Sequence, residues 1–267
     1  MMGEGSLAAR REGPAAVLRV SGLSVSYGSA RVVDDVSFDI RTGEIFGLIG
    51  PNGAGKTTTL SAIEGLVVPR SGALWLDGID MRGQPAAVKA RMGVQLQATS
   101  FQPELTINQL IRLYAGLYDV TFSGPGIAAA LRAIGLDGET GKRFRQLSGG
   151  QQQRLALFIA NIHQPLLLLL DEPTAGLDPQ ARRQLWRTIE ANRQAGGSIL
   201  LTTHSMEEAQ AVCDRVAIID RGRIVALDAP LELIRKHQDD PLVRAAAHGA
   251  VTLEDVFIGL TGSAVRT

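Results

Sequence analysis

The chain has 267 residues, 45% of them hydrophobic and 20% charged, with 27 basic side chains balanced by 27 acidic ones. That length suits one large α/β domain or two small ones. Zero net charge argues against a protein held to nucleic acid by bulk charge, which needs a basic excess, although a local basic patch stays open. Mean hydropathy is slightly positive, but an apolar run such as Leu166 to Leu170 falls far short of the roughly 20 residues a membrane-crossing helix needs. Cys213 is the single cysteine, so no intramolecular disulfide is expected. Residues 1–16 include Gly3, Gly5, Arg10, Arg11, Gly13 and Pro14 without the apolar core of a secretory signal, and they read as a disordered leader on a cytoplasmic protein.

Patterned sequence begins at Val17. Val36, Phe38 and Ile40 alternate with polar residues, and Ala73 to Leu76 runs into Asp77-Gly78. Both are strand signals, suited to antiparallel strands beside a core. Ile45 to Ile49, Leu166 to Leu170, Ile199 to Leu201 and Val216 to Ile219 are apolar without alternation, as expected of strands buried on both faces of a mainly parallel sheet. Helices are expected over Lys56 to Glu64, Gly149 to His163, Pro179 to Asn192 and Met206 to Val212. Between about Thr99 and Gln146 the strand signal disappears. Leu105 to Tyr118 and Ile127 to Ile134 read as helices joined across Gly124-Pro125-Gly126, so a helical subdomain over about 99–160 is expected inside an α/β domain of residues 17–235. Arg221-Gly222 before Ile224 to Leu227 reads as a hairpin turn. Beyond Pro230 a short helix is expected at Leu231 to His237, and the C-terminal tail of residues 236–267 continues through a polar stretch around Gln238 to Pro241 to a final amphipathic segment, Leu253 to Leu260. No internal repeat is present.

Three segments carry chemistry. Gly50-Pro51-Asn52-Gly53-Ala54-Gly55-Lys56-Thr57, followed by Thr58, stands between an apolar strand and a helix and matches G-x-x-x-x-G-K-[ST]. The glycines let backbone N–H groups face phosphate oxygens, and the helix adds the positive end of its dipole. Lys56 would reach the β- and γ-phosphates and Thr57 would offer its hydroxyl to Mg²⁺. A dinucleotide fingerprint fails here, because Asn52 takes the second glycine's place. Asp171 and Glu172 end the apolar run from Leu166, which puts two carboxylates at the carboxyl edge of the sheet. Asp171 could hold Mg²⁺ through a water and Glu172 could orient and deprotonate an attacking water; standing alone such a pair could instead cap a helix before Pro173, a reading that its combination with Lys56 weakens. Leu147-Ser148-Gly149-Gly150-Gln151 opens a helix with a good N-cap and bared N–H groups, a second anion-binding end about a hundred residues from the first.

Walker A at Gly50 to Thr57, LSGGQ at Leu147 to Gln151 and Walker B at Leu166 to Glu172 together resemble the ATP-binding subunits of ABC transporters, over about Val17 to Pro230. The resemblance implies a P-loop NTPase core with a mainly parallel sheet, an antiparallel β side subdomain and an inserted helical subdomain. It implies that Tyr27 stacks on adenine and that Gln97 contacts Mg²⁺ and the attacking water, with Gln95 a rival for that role. Ala175-Gly176-Leu177-Asp178 resembles the D-loop and His204 the switch histidine that senses the γ-phosphate.

In that family Ser148, Gly149, Gly150 and Gln151 close over ATP held by a second copy, so a head-to-tail homodimer with two composite sites is implied. Without a spanning helix, a separate transmembrane permease is the expected load, docking near Gln97 to Leu105 and bringing the chain to the cytoplasmic side of the cell membrane. Ile63-Glu64-Gly65-Leu66 and Thr252 to Gly262 are similar to the type-2 exporter branch, including daunorubicin-resistance-type systems, which implies export of drugs, lipids or related compounds. The competing class is a soluble ATPase acting on nucleic acid or ribosomes. Such relatives usually carry two cassettes or a long coiled-coil insertion, and neither pattern is present, so no nucleic-acid partner is expected.

Overall fold

A computed structural model describes residues 16–95 and 101–262. Ala16, expected in the leader, already belongs to the first strand; residues 1–15 and Gln97 lie outside the described residues. The chain runs β1 (Ala16–Tyr27), β2 (Ala30–Arg41), β3 (Ile45–Ile49), α1 (Lys56–Ile63), β4 (Ser71–Leu76), β5 (Ile79–Asp80), α2 (Pro85–Lys89) and β6 (Met92–Gln95). It continues with α3 (Ile107–Leu117), α4 (Gly124–Ala133), α5 (Gly149–Ala160), β7 (Leu167–Asp171), α6 (Pro179–Gln194), β8 (Ser198–Thr203) and α7 (Met206–Val212). The last elements are β9 (Arg215–Asp220), β10 (Arg223–Asp228), α8 (Pro230–His237), α9 (Pro241–Ala246) and α10 (Leu253–Thr261).

The strands form two sheets. One has the order β2-β1-β4-β5 and is antiparallel; the other has the order β10-β9-β3-β8-β7-β6 and is parallel except for the β9–β10 hairpin. Every residue of β3 and β7 is buried, which accounts for their unbroken apolar character. The hairpin turn places Arg221 at φ 46° and Gly222 at φ 80°, the paired positive φ values that match the twist of the flanking strands. One core lies between the antiparallel sheet, α1 and one face of the parallel sheet. A second fills the other face with Leu185, Ile189, Met206, Val256 and Phe257.

The helical stretch has its own core of Ile107, Leu110, Ile111, Leu131, Leu136 and Phe144, joined by Leu155 and Ile159 of α5. The same helix gives Leu157 and Ala160 to the core of the parallel sheet, so α5 is shared between the two units.

Several boundaries depart from the sequence reading. Gly124-Pro125-Gly126, expected as a connector, forms the first turn of α4, because Ser123 caps the helix by accepting from Gly126 N–H at 3.1 Å and Pro125 occupies an early position where no N–H is needed. Edge strand β6 has no continuous apolar run, since Val94 is exposed and Gln95 is buried. Residue 235 falls inside α8, the helix expected at Leu231 to His237, and the polar stretch after it leads into a further helix, α9, before α10 takes up the amphipathic segment from Leu253. Asp240 caps α9, while Thr252 and Asp255 form a capping box on α10. Cys213 is buried, and a Cβ added to Gly47 would stand 2.8 Å from its Sγ. Burial pushes that thiol's pKa far up, so it serves as core filling.

Arg215 links the two sheets. Its guanidinium pairs with Glu44 and, at 3.1 Å, with Asp39, and lies 5.5 Å from the centre of the Phe46 ring, which stacks on Phe38. Glu44, about 5% exposed, also accepts from Arg41 N–H at 2.6 Å. Arg215→Met leaves that carboxylate buried and short of its partner, with an expected loss of about 3 kcal/mol in urea unfolding. A loss below about 1 kcal/mol would instead rank the pair with exposed bridges.

Candidate functional site

β3 delivers the chain into the glycine-rich loop and α1 carries it away. Gly55 sits at φ 106°, and a Cβ there would meet the Val32 carbonyl oxygen at 2.9 Å, so the turn into α1 requires glycine. The loop is held from below: Gly222 N–H donates to the Ala54 carbonyl at 2.9 Å, and Ala54 N–H to the Pro51 carbonyl at 3.2 Å. Lys56 is buried and donates to the carbonyls of Gly50 at 2.8 Å and Pro51 at 3.1 Å, with its Nζ 4.0 Å from Glu172 Oε1. Burial lowers the Lys56 pKa, opposed by the fields of Glu172 and Asp171.

The acidic pair stands opposite. Asp171 is buried and accepts from the hydroxyls of Thr57, at 3.2 Å, and of Thr202. Glu172 adopts φ 46°, and its N–H donates to Thr202 Oγ1 at 3.0 Å. Its Oε2 lies 3.3 Å from His204 Nδ1. Glu172, His204, Asn52, Gly53, Gly55, Lys56, Thr57, Thr58 and Val32 line one pocket of about 400 Å³. The Thr57 hydroxyl and the Asp171 carboxylate are hard oxygen donors meeting at one point, and the described residues contain no cluster of three or more His, Cys, Asp or Glu arranged for a metal. That donor set fits Mg²⁺, which takes one or two protein ligands and completes its shell with water and phosphate oxygens.

Other expected residues lie elsewhere. Tyr27, at the end of β1, is 53% exposed and does not line the pocket. Ser148 caps α5 in a capping box with Gln151, accepting from Gln151 N–H at 3.3 Å. Gly149 has open space where a Cβ would project, whereas a Cβ on Gly150 would stand 2.8 Å from Ala181 Cβ of α6. Asp178 caps α6 by accepting from Gln180 N–H at 2.8 Å and Ala181 N–H at 2.9 Å, and the bond from Ala181 chiefly holds its carboxyl below the usual value. Among the described residues, none of Ser148, Gly149, Gly150, Gln151 or Asp178 lines the pocket. Gln95, the rival to Gln97, is buried and donates to Gln153 Oε1 on α5. Phe101 is half-buried, meeting Tyr114 and Phe144 edge-on with centroids 5.2 and 5.3 Å away, and Leu105 packs on the same helical core, so these two residues of the expected docking segment are partly covered; residues 97–100 lie outside the described residues.

Two residues escape the sequence reading. Thr202 reads there only as part of a strand; its role follows from the register that sets it directly opposite Asp171. Glu64 reads there only as the last residue of a helix but is 6% exposed, and among the described residues its Oε2 has no hydrogen-bond partner.

The family model described as ABC transporter matches residues 33–175. The Nod factor export ATP-binding protein I of Ralstonia nicotianae is 41% identical over 83% of this chain and 70% of its own length. The linearmycin resistance ATP-binding protein LnrL of Bacillus subtilis is 33% identical over 87% of this chain and 76% of its own length. A solved structure of an ATP binding subunit of an ABC transporter superposes with a TM-score of 0.80 at 29% identity, covering 91% of this chain and 99% of its own. The chain belongs to the ABC transporter family. It carries that family's ATPase domain, as its three motifs implied.

Burial and the field of Asp171 push the Glu64 carboxyl up to about 7 from 4.5. The folded chain therefore binds a proton that the unfolded chain lacks between those values, so this group's contribution to stability falls as pH rises from about 4.5 to about 7. Glu64→Gln removes the effect: in urea titrations across that range the variant gains stability relative to the parent as pH increases. A difference that stays flat with pH would exclude a titrating Glu64.

Proposed function

We propose that this chain is the ATP-binding and ATP-hydrolysing subunit of a membrane exporter, working as a head-to-tail pair of copies beneath a separate transmembrane permease. The observation that carries the reading is the division of the motifs. Lys56, Thr57, Asp171, Glu172 and His204 converge on one pocket or its edge, while Ser148 to Gln151 lie outside it. A second copy turned head to tail supplies the missing helix end, and the open space around Gly149 leaves its backbone accessible to the partner's nucleotide. Asp178 then lies at the seam between copies.

In this arrangement the glycine-rich loop receives the phosphates on backbone N–H groups, and Lys56 exchanges the carbonyls of Gly50 and Pro51 for phosphate oxygens. Thr57, Asp171 and, following the family resemblance, Gln97 would hold Mg²⁺, which would supply charge neutralisation for the phosphates. Glu172 takes the proton of the attacking water, and His204, 3.3 Å from it, holds that carboxylate and faces the γ-phosphate. Tyr27 offers an exposed ring at the end of β1 for adenine. The γ-phosphate holds contacts from both copies, so its cleavage releases them. Export and resistance, the functions in the names of the two relatives, favour an outward-moving load over action on nucleic acid. Among the described residues no helix is long and apolar enough to cross a membrane, and in this reading the permease is what holds the chain at the cytoplasmic face. Drugs, lipids or related hydrophobic compounds are the proposed cargo.

Glu172→Gln keeps the side chain's shape while removing the base. It is expected to retain ATP affinity, to lose turnover by about a hundredfold or more, and to accumulate as a nucleotide-bound dimer in size-exclusion chromatography. Turnover close to the parent's would remove Glu172 from the role of base. For the partner, affinity purification from detergent-solubilised membranes should recover a polytopic membrane protein with the chain; recovery of the chain alone would count against the exporter reading.

A further inference from the structure

Glu208, in the first turn of α7, does not line the pocket, yet its carboxylate is buried and joins two neighbouring segments. The Thr174 hydroxyl donates to Glu208 Oε2 at 2.6 Å, and Arg182 Nε lies 3.0 Å from Glu208 Oε1. Thr174 stands two residues after Glu172, and Arg182 lies in the first turn of the helix that Asp178 caps. One carboxylate therefore holds both ends of the segment 174–182 that carries Asp178. Its own position is set from the histidine side. Ser205, next to His204, caps α7 by accepting from Glu208 N–H at 3.3 Å, and Ser205 N–H donates to Thr203 Oγ1 at 3.0 Å. A buried carboxylate loses solvation that such partners restore, so Thr174 and Arg182 are both tied to the one Glu208 side chain.

We infer that Glu208 is a positioning residue for ATP hydrolysis: it transmits the placement of His204, beside Glu172, to the 174–178 segment that presents Asp178. This rests on the ATPase reading of the pocket and adds to it the link between the γ-phosphate side and the proposed seam between copies. The Glu208 carboxylate acts through Thr174 and Arg182 and touches no nucleotide.

The test compares Glu208→Ala, Glu208→Gln and Thr174→Val in ATP turnover and in amide hydrogen exchange of the full chain. Losing a buried hydrogen-bonded acceptor is expected to lower kcat about tenfold in Glu208→Ala with KM for ATP within about twofold. Glu208→Gln, which keeps an acceptor for Thr174 but loses the ion pair, should recover part of that loss. Exchange at 175–178 should quicken in Glu208→Ala and Thr174→Val while α1 keeps its protection. Unchanged exchange at 175–178 overturns the inference whatever the turnover. So does a loss of kcat accompanied by quickened exchange throughout the parallel sheet, the signature of general destabilisation. Thr174→Val keeps the test decisive should Glu208→Ala fail to fold. A parent chain without turnover would refute the ATPase reading itself, and the exchange measurement would still decide whether Glu208 places the segment.

Discussion

The Asp171 carboxylate, buried at the end of β7, is the group around which the rest of the site is arranged. A carboxylate taken out of water is stable only where hydrogen bonds replace its hydration. Thr57 supplies one bond from α1 and Thr202 another from β8. Three elements separated by long stretches of sequence are thereby brought to one point. The Thr202 oxygen also accepts from Glu172 N–H, which turns the next carboxylate toward Lys56 and His204. Removing the carboxylate would uncouple the helix after the glycine-rich loop from the strand that presents the acids.

The helical layer is tied to that centre through α5. Leu155 and Ile159 belong to the helical core, whereas Leu157 and Ala160 belong to the core of the parallel sheet. The start of the helix meets α6 closely at Gly150 and Ala181, so the LSGGQ turn and the Asp178 cap share a boundary within one chain. Gln95 adds a polar contact from the end of β6 to Gln153 on the same helix. A rigid helix embedded in two cores transmits displacement with little loss, because close-packed interiors resist compression.

Much of the chemistry was legible from residue order because glycine-rich loops, apolar strands ending in acids and capped helix starts each have local causes. Gly55 needs its positive φ, Ser148 needs only Gln151 three residues on, and Asp178 needs only the next turn of chain. Elements whose stability comes from distant partners were harder to read. β6 alternates weakly because it is an edge strand, and α4 accommodates two glycines and a proline that its cap and its burial of Ile127 and Leu131 outweigh. Glu64 reads only as the end of a helix, and the surrounding layers make it a buried acid.

By itself, the sequence determined the α/β class, the phosphate loop, the acidic strand end and the signature turn, because each depends on residues within a few positions of one another. The tertiary structure decided which of these meet. Parallel register sets Thr202 opposite Asp171, and the strand order brings His204 to Glu172. The same packing leaves Ser148 to Gln151 outside the pocket. Those relations depend on hydrogen bonds and close packing between segments far apart in the chain, and local spacing carries no record of them.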